Sequence, residues 1–176
     1  STGLVGSEMC IRDRYRTQSK DNTGPYEATY DGHYFYNWLT KKSRQFGVDK
    51  NKLIVGGASA GAQIAASIAN KNIFESQNSI KPLALILYNP AINISPKGKN
   101  RDKFFRDFYI DPAKECLKNF PPCIILHGTD DDIIPFKWVS EFVCDLECLG
   151  RDVVFKVFLN RGHGFFNIKK KDKDYK

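Results

Sequence analysis

The sequence has no apolar run close to the roughly 20 residues that a membrane-spanning helix needs. It has three histidines, and none of its five cysteines lies beside a histidine at the spacing of a metal site. The glycine-rich stretch 56–61 lacks the lysine that a phosphate-binding loop requires. We therefore expect no transmembrane segment and no metal, nucleotide or flavin cofactor.

The net charge of +7 is compatible with binding to nucleic acid. Lysine and arginine lie in scattered polar stretches, chiefly 41–52, 97–106 and 169–176, and these lack the interleaved aromatic pattern of a nucleic-acid-binding motif. A solvated basic surface without a nucleic-acid partner is the better interpretation. The hydrophobic content of 41% in 176 residues suits the core of one domain.

The segment 1–14 has an unusual sequence for a protein terminus. Residues 3–14 resemble the translation of a sequencing adaptor, so we predict that this segment is not native and exclude it from the fold. Compartment and oligomeric state are consequently left open. Four cysteines remain, at positions 116, 123, 144 and 148, and we expect buried free thiols, with Cys144 and Cys148 on one helix face and not bonded to each other.

Short apolar strands alternate with helices from residue 15 onward. The predicted strands are 53–56, 83–88, 123–126 and 153–159, and the predicted helices are 25–46, the segment after residue 59, the short pieces 103–108 and 111–119, and 136–149. In the first long helix, the spacing predicts a buried face made of Tyr30, Tyr34, Phe35, Trp38 and Leu39. The alternation indicates an α/β fold with a mostly parallel sheet and helices on both faces.

The stretch 54–62 has the pattern of a turn that carries a nucleophilic serine. Ile54 and Val55 end a β-branched run, Ser59 lies between Gly57 and Gly61, and small helix-favouring residues follow. This is the G-x-S-x-G pattern in its strand–turn–helix context, in which a strained turn exposes a nucleophilic serine at the carboxyl edge of a sheet. The Ala60 amide at the start of the next helix is then placed to donate to an oxyanion.

Two later strands are followed by groups that would complement this serine. His127-Gly128-Thr129 and the three aspartates 130–132 follow one strand, and Arg161-Gly162-His163 follows the next. Loops after parallel strands meet at one edge of the sheet, so serine, acid and histidine can come together. His163 would then accept the Ser59 proton, and a carboxylate would fix its tautomer.

These motifs resemble the α/β-hydrolase superfamily, in the esterase/lipase branch related to hormone-sensitive lipase and bacterial acetyl esterases. The motifs are G-G-x-S-A-G at 56–61, H-G-x-x-D-x-x-I-P at 127–135 and G-H-G-F at 162–165. The resemblance covers residues 15–167 and implies a Ser59, Asp131 and His163 triad, with Asp131 as the fourth residue after His127. His127 itself is expected to be structural, and His33 to lie on the surface or in packing.

The sequence also departs from this family. Ala62 and Gln63 stand where relatives often carry other residues, and the H-G-G-G loop that supplies further oxyanion donors has no counterpart between Tyr15 and Ser59. We therefore interpret 15–176 as the C-terminal part of one catalytic domain and expect this chain by itself to have weak or no activity.

The implied function of the parent protein is hydrolysis of carboxylic esters through an acyl-enzyme. Relatives with the same motif sequences tend to act on short acyl groups, including acetyl groups on carbohydrates. A small-molecule or carbohydrate ester is therefore the expected substrate. Two alternatives stay open. One is a prolyl-oligopeptidase-type serine peptidase, which usually has tyrosine where this chain has Ala60, and the other is a non-catalytic protein of the same fold.

Overall fold

The structure, a computed structural model, describes residues 11, 14–69, 80–92, 112–114 and 117–167. Most of the segment 1–14, the predicted helical piece 103–108 and Cys116 lie outside these ranges. The helices are α1 (Gln18–Asp21), α2 (Pro25–Lys42), α3 (Ala60–Ile68) and α4 (Phe136–Cys148), and the strands are β1 (Ile54–Ala58), β2 (Ala84–Tyr88), β3 (Cys123–Gly128) and β4 (Val153–Phe158). Short 3-10 turns occupy Ser43–Phe46, Pro112–Lys114 and Leu117–Asn119.

The four strands form one parallel sheet in the order β1-β2-β3-β4. The four predicted strands are present, and each is a short run made mainly of apolar residues, as is common for strands of a parallel sheet. Since all strands point the same way, the segments that follow them (from Ser59, Asn89, Thr129 and Leu159) lie at one edge.

The main core lies between the sheet and the helices α3 and α4. Alanines of α3 allow a close approach to the sheet, and α4 contributes a stripe of larger side chains. The fully buried members include Ala62, Ala66, Leu87, Ile125, Val139, Phe142 and Leu146. Alternate residues of the strands, which point to the other face, include Ile54, Ile86 and Val154, and these are exposed in the part of the chain that the structure describes.

The predicted buried face of α2 is wrong for its largest members. Tyr30, Tyr34 and Trp38 are 46%, 64% and 39% exposed, whereas the buried residues of this helix are Ala28, Thr29, Gly32, His33, Tyr36, Leu39 and Thr40. The physical reason is that α2 contacts α3 along the face that carries Ala28, Gly32 and Tyr36, and not along the face that carries these three rings. The exposed rings instead pack on their own helix, for example Tyr30 on Tyr34 with centroids 6.4 Å apart.

Gly32 provides a test of this close contact. A Cβ atom at residue 32 would overlap Cγ2 of Ile64 in α3. Gly32→Ala raises helix propensity by about 1 kcal/mol, but overpacking a buried contact costs about 1–3 kcal/mol. We expect a net loss of stability in urea unfolding, with Tyr34→Ala on the exposed face as a near-neutral control. A variant more stable than the parent would contradict the close packing.

The cysteine prediction holds in part. Cys123 is a buried free thiol, whose pKa burial raises to about 12, but Cys144 and Cys148 are exposed because they lie on the outer side of α4. Both are free, as expected for two positions on one helix face.

Among the helices that the structure describes, none combines the length and the apolar composition that a membrane span requires.

Candidate active site

Ser59 forms the whole connection between β1 and α3. Its backbone has φ 53° and ψ −118°, a strained conformation for a residue with a side chain. The flanking glycines explain how the turn fits, because a Cβ at Gly57 would overlap the backbone of Gly61 and lie 2.8 Å from the Ala62 nitrogen. The chain therefore makes the tight strand–turn–helix junction that the motif predicts.

Backbone hydrogen bonds fix this turn to the end of β2. The Ser59 N–H donates to the Tyr88 carbonyl oxygen at 2.9 Å, and the Ser59 carbonyl accepts from the N–H groups of Ala62, Gln63 and Ala91. The N–H of Ala60, as the first residue of α3, has no acceptor within its helix. The turn thus combines a rigid serine with a backbone donor at the positive end of a helix.

Asp131 lies in the loop after β3, and its carboxylate accepts hydrogen bonds from four donors. Oδ1 accepts from the backbone N–H groups of Ile133 and Ile134 at 3.0 and 2.8 Å. Oδ2 accepts from Asn89 Nδ2 at 2.6 Å and from His163 Nδ1 at 2.8 Å, and the same Nδ1 lies 3.0 Å from Oδ1. A buried carboxylate with donors on both oxygens has a fixed orientation, which in turn orients the imidazole.

These contacts determine the charge of Asp131. Burial raises the pKa of its carboxyl, but the hydrogen bonds from Ile134, His163, Asn89 and Ile133 together outweigh burial and hold the pKa below its usual value. The group is therefore ionised at neutral pH. An ionised Asp131 accepts the Nδ1–H of His163, so neutral His163 carries its free lone pair on Nε2.

The loops that carry Asp131 and His163 are joined to each other by backbone contacts. The N–H groups of Thr129 and Asp130 donate to the carbonyls of Phe158 and Arg161, each at 3.0 Å, and the Asn160 N–H donates to Thr129 Oγ1 at 2.9 Å. These hydrogen bonds between the two loops thus help to hold Asp131 and His163 in contact.

The structure brings Asp131 and His163 into direct contact and places Ser59 at the same edge of the sheet. Phe166, three residues after His163, packs against Tyr88, whose carbonyl accepts the Ser59 N–H. Asp130 and Asp132, the neighbours of Asp131, are exposed. The catalytic roles of Ser59, Asp131 and His163, and that of the Ala60 amide, stay predictions.

The other two histidines are buried in structural positions. His127 Nε2–H donates to the Ile134 carbonyl at 2.9 Å, closing the turn after β3, and burial lowers its pKa. His33 lies between α2 and α3 with Nε2 3.3 Å from Ser67 Oγ, and burial lowers its pKa to about 4. Both are consequently neutral near pH 7. Among the described residues, no cluster of His, Cys, Asp or Glu could hold a metal ion.

Asn89, the second side chain on Asp131 Oδ2, is not among the residues that the sequence predicts for the site. In the sequence it is only the residue at which a buried strand stops before Pro90. Its φ of 43° fits that position, because asparagine tolerates the left-handed region better than most residues. Its contact with Asp131, 42 positions away, has no local signal in the sequence.

Comparison with known proteins is consistent with this geometry. Residues 24–110 match a family model described as the α/β-hydrolase fold. Esterase LipC of Mycobacterium tuberculosis is 22% identical over 156 residues, covering 73% of this chain and 38% of the esterase. Lysophosphatidylserine lipase ABHD12 of Macaca fascicularis is 26% identical over 127 residues, covering 62% of this chain and 30% of the lipase.

Among solved structures, esterase 2 of Thermogutta terrifontis in its apo form superposes with a TM-score of 0.80 at 27% identity, covering 90% of this chain and 63% of that one. Structures of the same esterase with propionate bound and phosphonylated by cyclosarin each give a TM-score of 0.79. The chain spans well under half the length of the two curated relatives and under two thirds of this esterase. The strand order, the serine turn and these similarities agree, and the chain belongs to the α/β-hydrolase superfamily, with esterases and lipases among its relatives.

Proposed function

We propose that the protein containing this chain hydrolyses carboxylic esters through a covalent intermediate on Ser59. The observation that carries this proposal is the strained Ser59 turn at the same sheet edge as the Asp131–His163 contact. A serine with no chemical role would have no reason to occupy φ 53° between β1 and α3, since such strain is costly and clusters at functional sites.

The reaction follows from the donors and acceptors present. Ser59 Oγ attacks the ester carbonyl carbon while its proton passes to His163 Nε2, and Asp131 stabilises the imidazolium that forms. The tetrahedral oxyanion is adjacent to the Ala60 N–H at the start of α3. Collapse expels the alcohol with the proton from His163, and water then releases the acid by the same steps in reverse order.

We further propose short-chain acyl esters as the substrate class, with acetyl groups on carbohydrates among them. Support comes from the structural neighbour, the Thermogutta terrifontis esterase, which has been solved with propionate and with butyrate bound. The form of that esterase that is phosphonylated by cyclosarin supports covalent chemistry at a nucleophile in the same way.

The test combines a covalent probe with two substrates. The 176-residue chain and the product of the complete open reading frame are treated with a fluorophosphonate, and the modified peptide is identified by mass spectrometry. We expect phosphonylation at Ser59, with loss of fluoride. We also expect p-nitrophenyl acetate to be hydrolysed faster than its butyrate-to-decanoate homologues.

Two results would overturn the proposal. Hydrolysis of a proline-containing amide in preference to the esters would favour a peptidase. Absence of probe labelling in both proteins, when folding is verified by circular dichroism, would favour a non-catalytic member of the superfamily.

A further inference from the structure

Asn89 follows β2 and contacts Asp131, whereas Asp131 and His163 themselves follow β3 and β4. It is the first residue after β2 and is fully buried, and its Nδ2 lies 2.6 Å from the Asp131 oxygen that also contacts His163 Nδ1. Its φ of 43° excludes most side chains from this position. A residue here must tolerate a left-handed backbone and also offer an N–H donor, and asparagine satisfies both conditions.

The orientation of the Asn89 amide depends on the charge of Asp131. With Nδ2 toward the carboxylate, Oδ1 is buried and has no hydrogen-bond partner among the described residues. The reversed amide would put Oδ1 against Asp131 Oδ2, two acceptors in contact, which an ionised carboxylate disfavours. The observed arrangement therefore leaves one acceptor unpaired in order to keep a donor on Asp131.

The backbone at this point also contacts the serine turn. The Tyr88 carbonyl accepts the Ser59 N–H, and the Asn89 N–H donates to the Leu126 carbonyl in β3, each at 2.9 Å. Two consecutive residues at the end of β2 thus contact the nucleophile turn through the backbone and the acid through a side chain.

We propose that Asn89 is a positioning residue that fixes Asp131 Oδ2 for His163 and thereby keeps the imidazole in the form whose Nε2 is free. The proposal rests on the function proposed above for Ser59 and His163. The hydrogen bonds that it concerns can, however, be measured without turnover.

The variants Asn89→Asp and Asn89→Ala distinguish the effect of the hydrogen bond that Asn89 donates to Asp131 from the effect of its packing. The titratable groups that face Asp131 are His163 and His127, the latter with Nε2 3.6 Å from Oδ2. A second carboxyl beside Asp131 would retain a proton, because two adjacent carboxylates resist ionising together. At low pH this carboxyl donates in place of the amide, whereas at higher pH it loses the proton and the donation.

We expect Asn89→Ala to slow phosphonylation of Ser59 about tenfold to a hundredfold at every pH, as loss of a hydrogen bond to a charged group implies. Asn89→Asp should be within about threefold of the parent chain at acidic pH and approach Asn89→Ala as pH rises. In ¹⁵N spectra of the three imidazoles, the Nδ1–H form of His163 should dominate in the parent chain and be mixed with the Nε2–H form in Asn89→Ala. Asn22→Ala and Asn22→Asp, at an exposed asparagine with φ 51°, are the matched controls.

Rates within about twofold of the parent chain for both Asn89 variants, with an unchanged His163 tautomer, would overturn the proposal, as would equal effects in the Asn22 controls. If neither the parent chain nor the product of the complete open reading frame is phosphonylated, the proposed function fails and the ¹⁵N spectra alone decide the role of Asn89. If Asn89→Ala does not fold, the pH series of Asn89→Asp decides, and a ratio to the parent rate that does not change with pH overturns the proposal.

Discussion

Asp131→Asn is expected to lower the rate of ester hydrolysis, or of Ser59 phosphonylation, by about 10⁴-fold, the loss seen for the same change in a serine triad. The single acceptor oxygen of an asparagine would stay with the N–H groups of Ile133 and Ile134. Its NH₂ group would then replace Oδ2, which at 2.8 Å is nearer to His163 Nδ1 than Oδ1 at 3.0 Å. This replacement would favour the imidazole form with its proton on Nε2, the atom proposed above to accept the serine proton.

Asp130→Asn and Asp132→Asn are the matched controls, because both residues are exposed and flank Asp131 in the same loop. Each should keep its rate within about threefold of the parent value, as surface substitutions do. The measurement is the second-order rate constant of fluorophosphonate labelling, with circular dichroism to verify folding. A large loss in either control together with a mild effect of Asp131→Asn would remove Asp131 from the triad.

Gly128→Ala is expected to separate the acid from the histidine. Gly128 is the last residue of β3, and a Cβ there would overlap the carbonyl oxygen of Arg161 and lie 2.7 Å from the Arg161 carbonyl carbon. Backbone cannot move aside as a side-chain end can, so the loop that carries His163 must shift. We expect a loss of stability of about 3 kcal/mol or more in urea unfolding, at the upper end for overpacking.

Gly162→Ala is the control for this prediction, because the nearest atom to its Cβ, the Asp130 carbonyl oxygen, is 3.6 Å away in ordinary contact. That variant should unfold within about 1 kcal/mol of the parent chain. In Gly128→Ala, the Nδ1–H signal of His163 should weaken with the loss of stability. A stable Gly128→Ala chain with an unchanged His163 spectrum would show that the two loops are not packed as described.

The sequence predicts the strands and the position of the candidate site well, for physical reasons that can be named. Strands that are buried in a parallel sheet are continuous apolar runs, and the Ser59 turn needs glycines at fixed positions. Both features are local and can be read directly. The loops that carry Asp131 and His163 follow from the rule that parallel strands end at one edge.

The sequence does not predict features that depend on contacts between residues far apart in the chain. The aromatic side chains predicted for the buried face of α2 have the right period, yet α2 contacts α3 along the face of Ala28, Gly32 and Tyr36. Likewise Asn89 acquires its importance only from Asp131, which is far away in the sequence. Neither packing distance nor a tertiary hydrogen bond leaves a periodic signal.

The contact between Asp131 and His163 lies within one continuous strand–helix–strand unit, from β3 through α4 to β4 and its following loop. Closing a short loop of chain costs less entropy than closing a long one. We therefore expect Asp131 and His163 to come together as a local unit during folding, and Ser59 to join them when β1 and β2 dock. Order of assembly would thus separate the Asp131–His163 pair from Ser59, and Asn89 would fix the orientation of that pair only after β2 has docked.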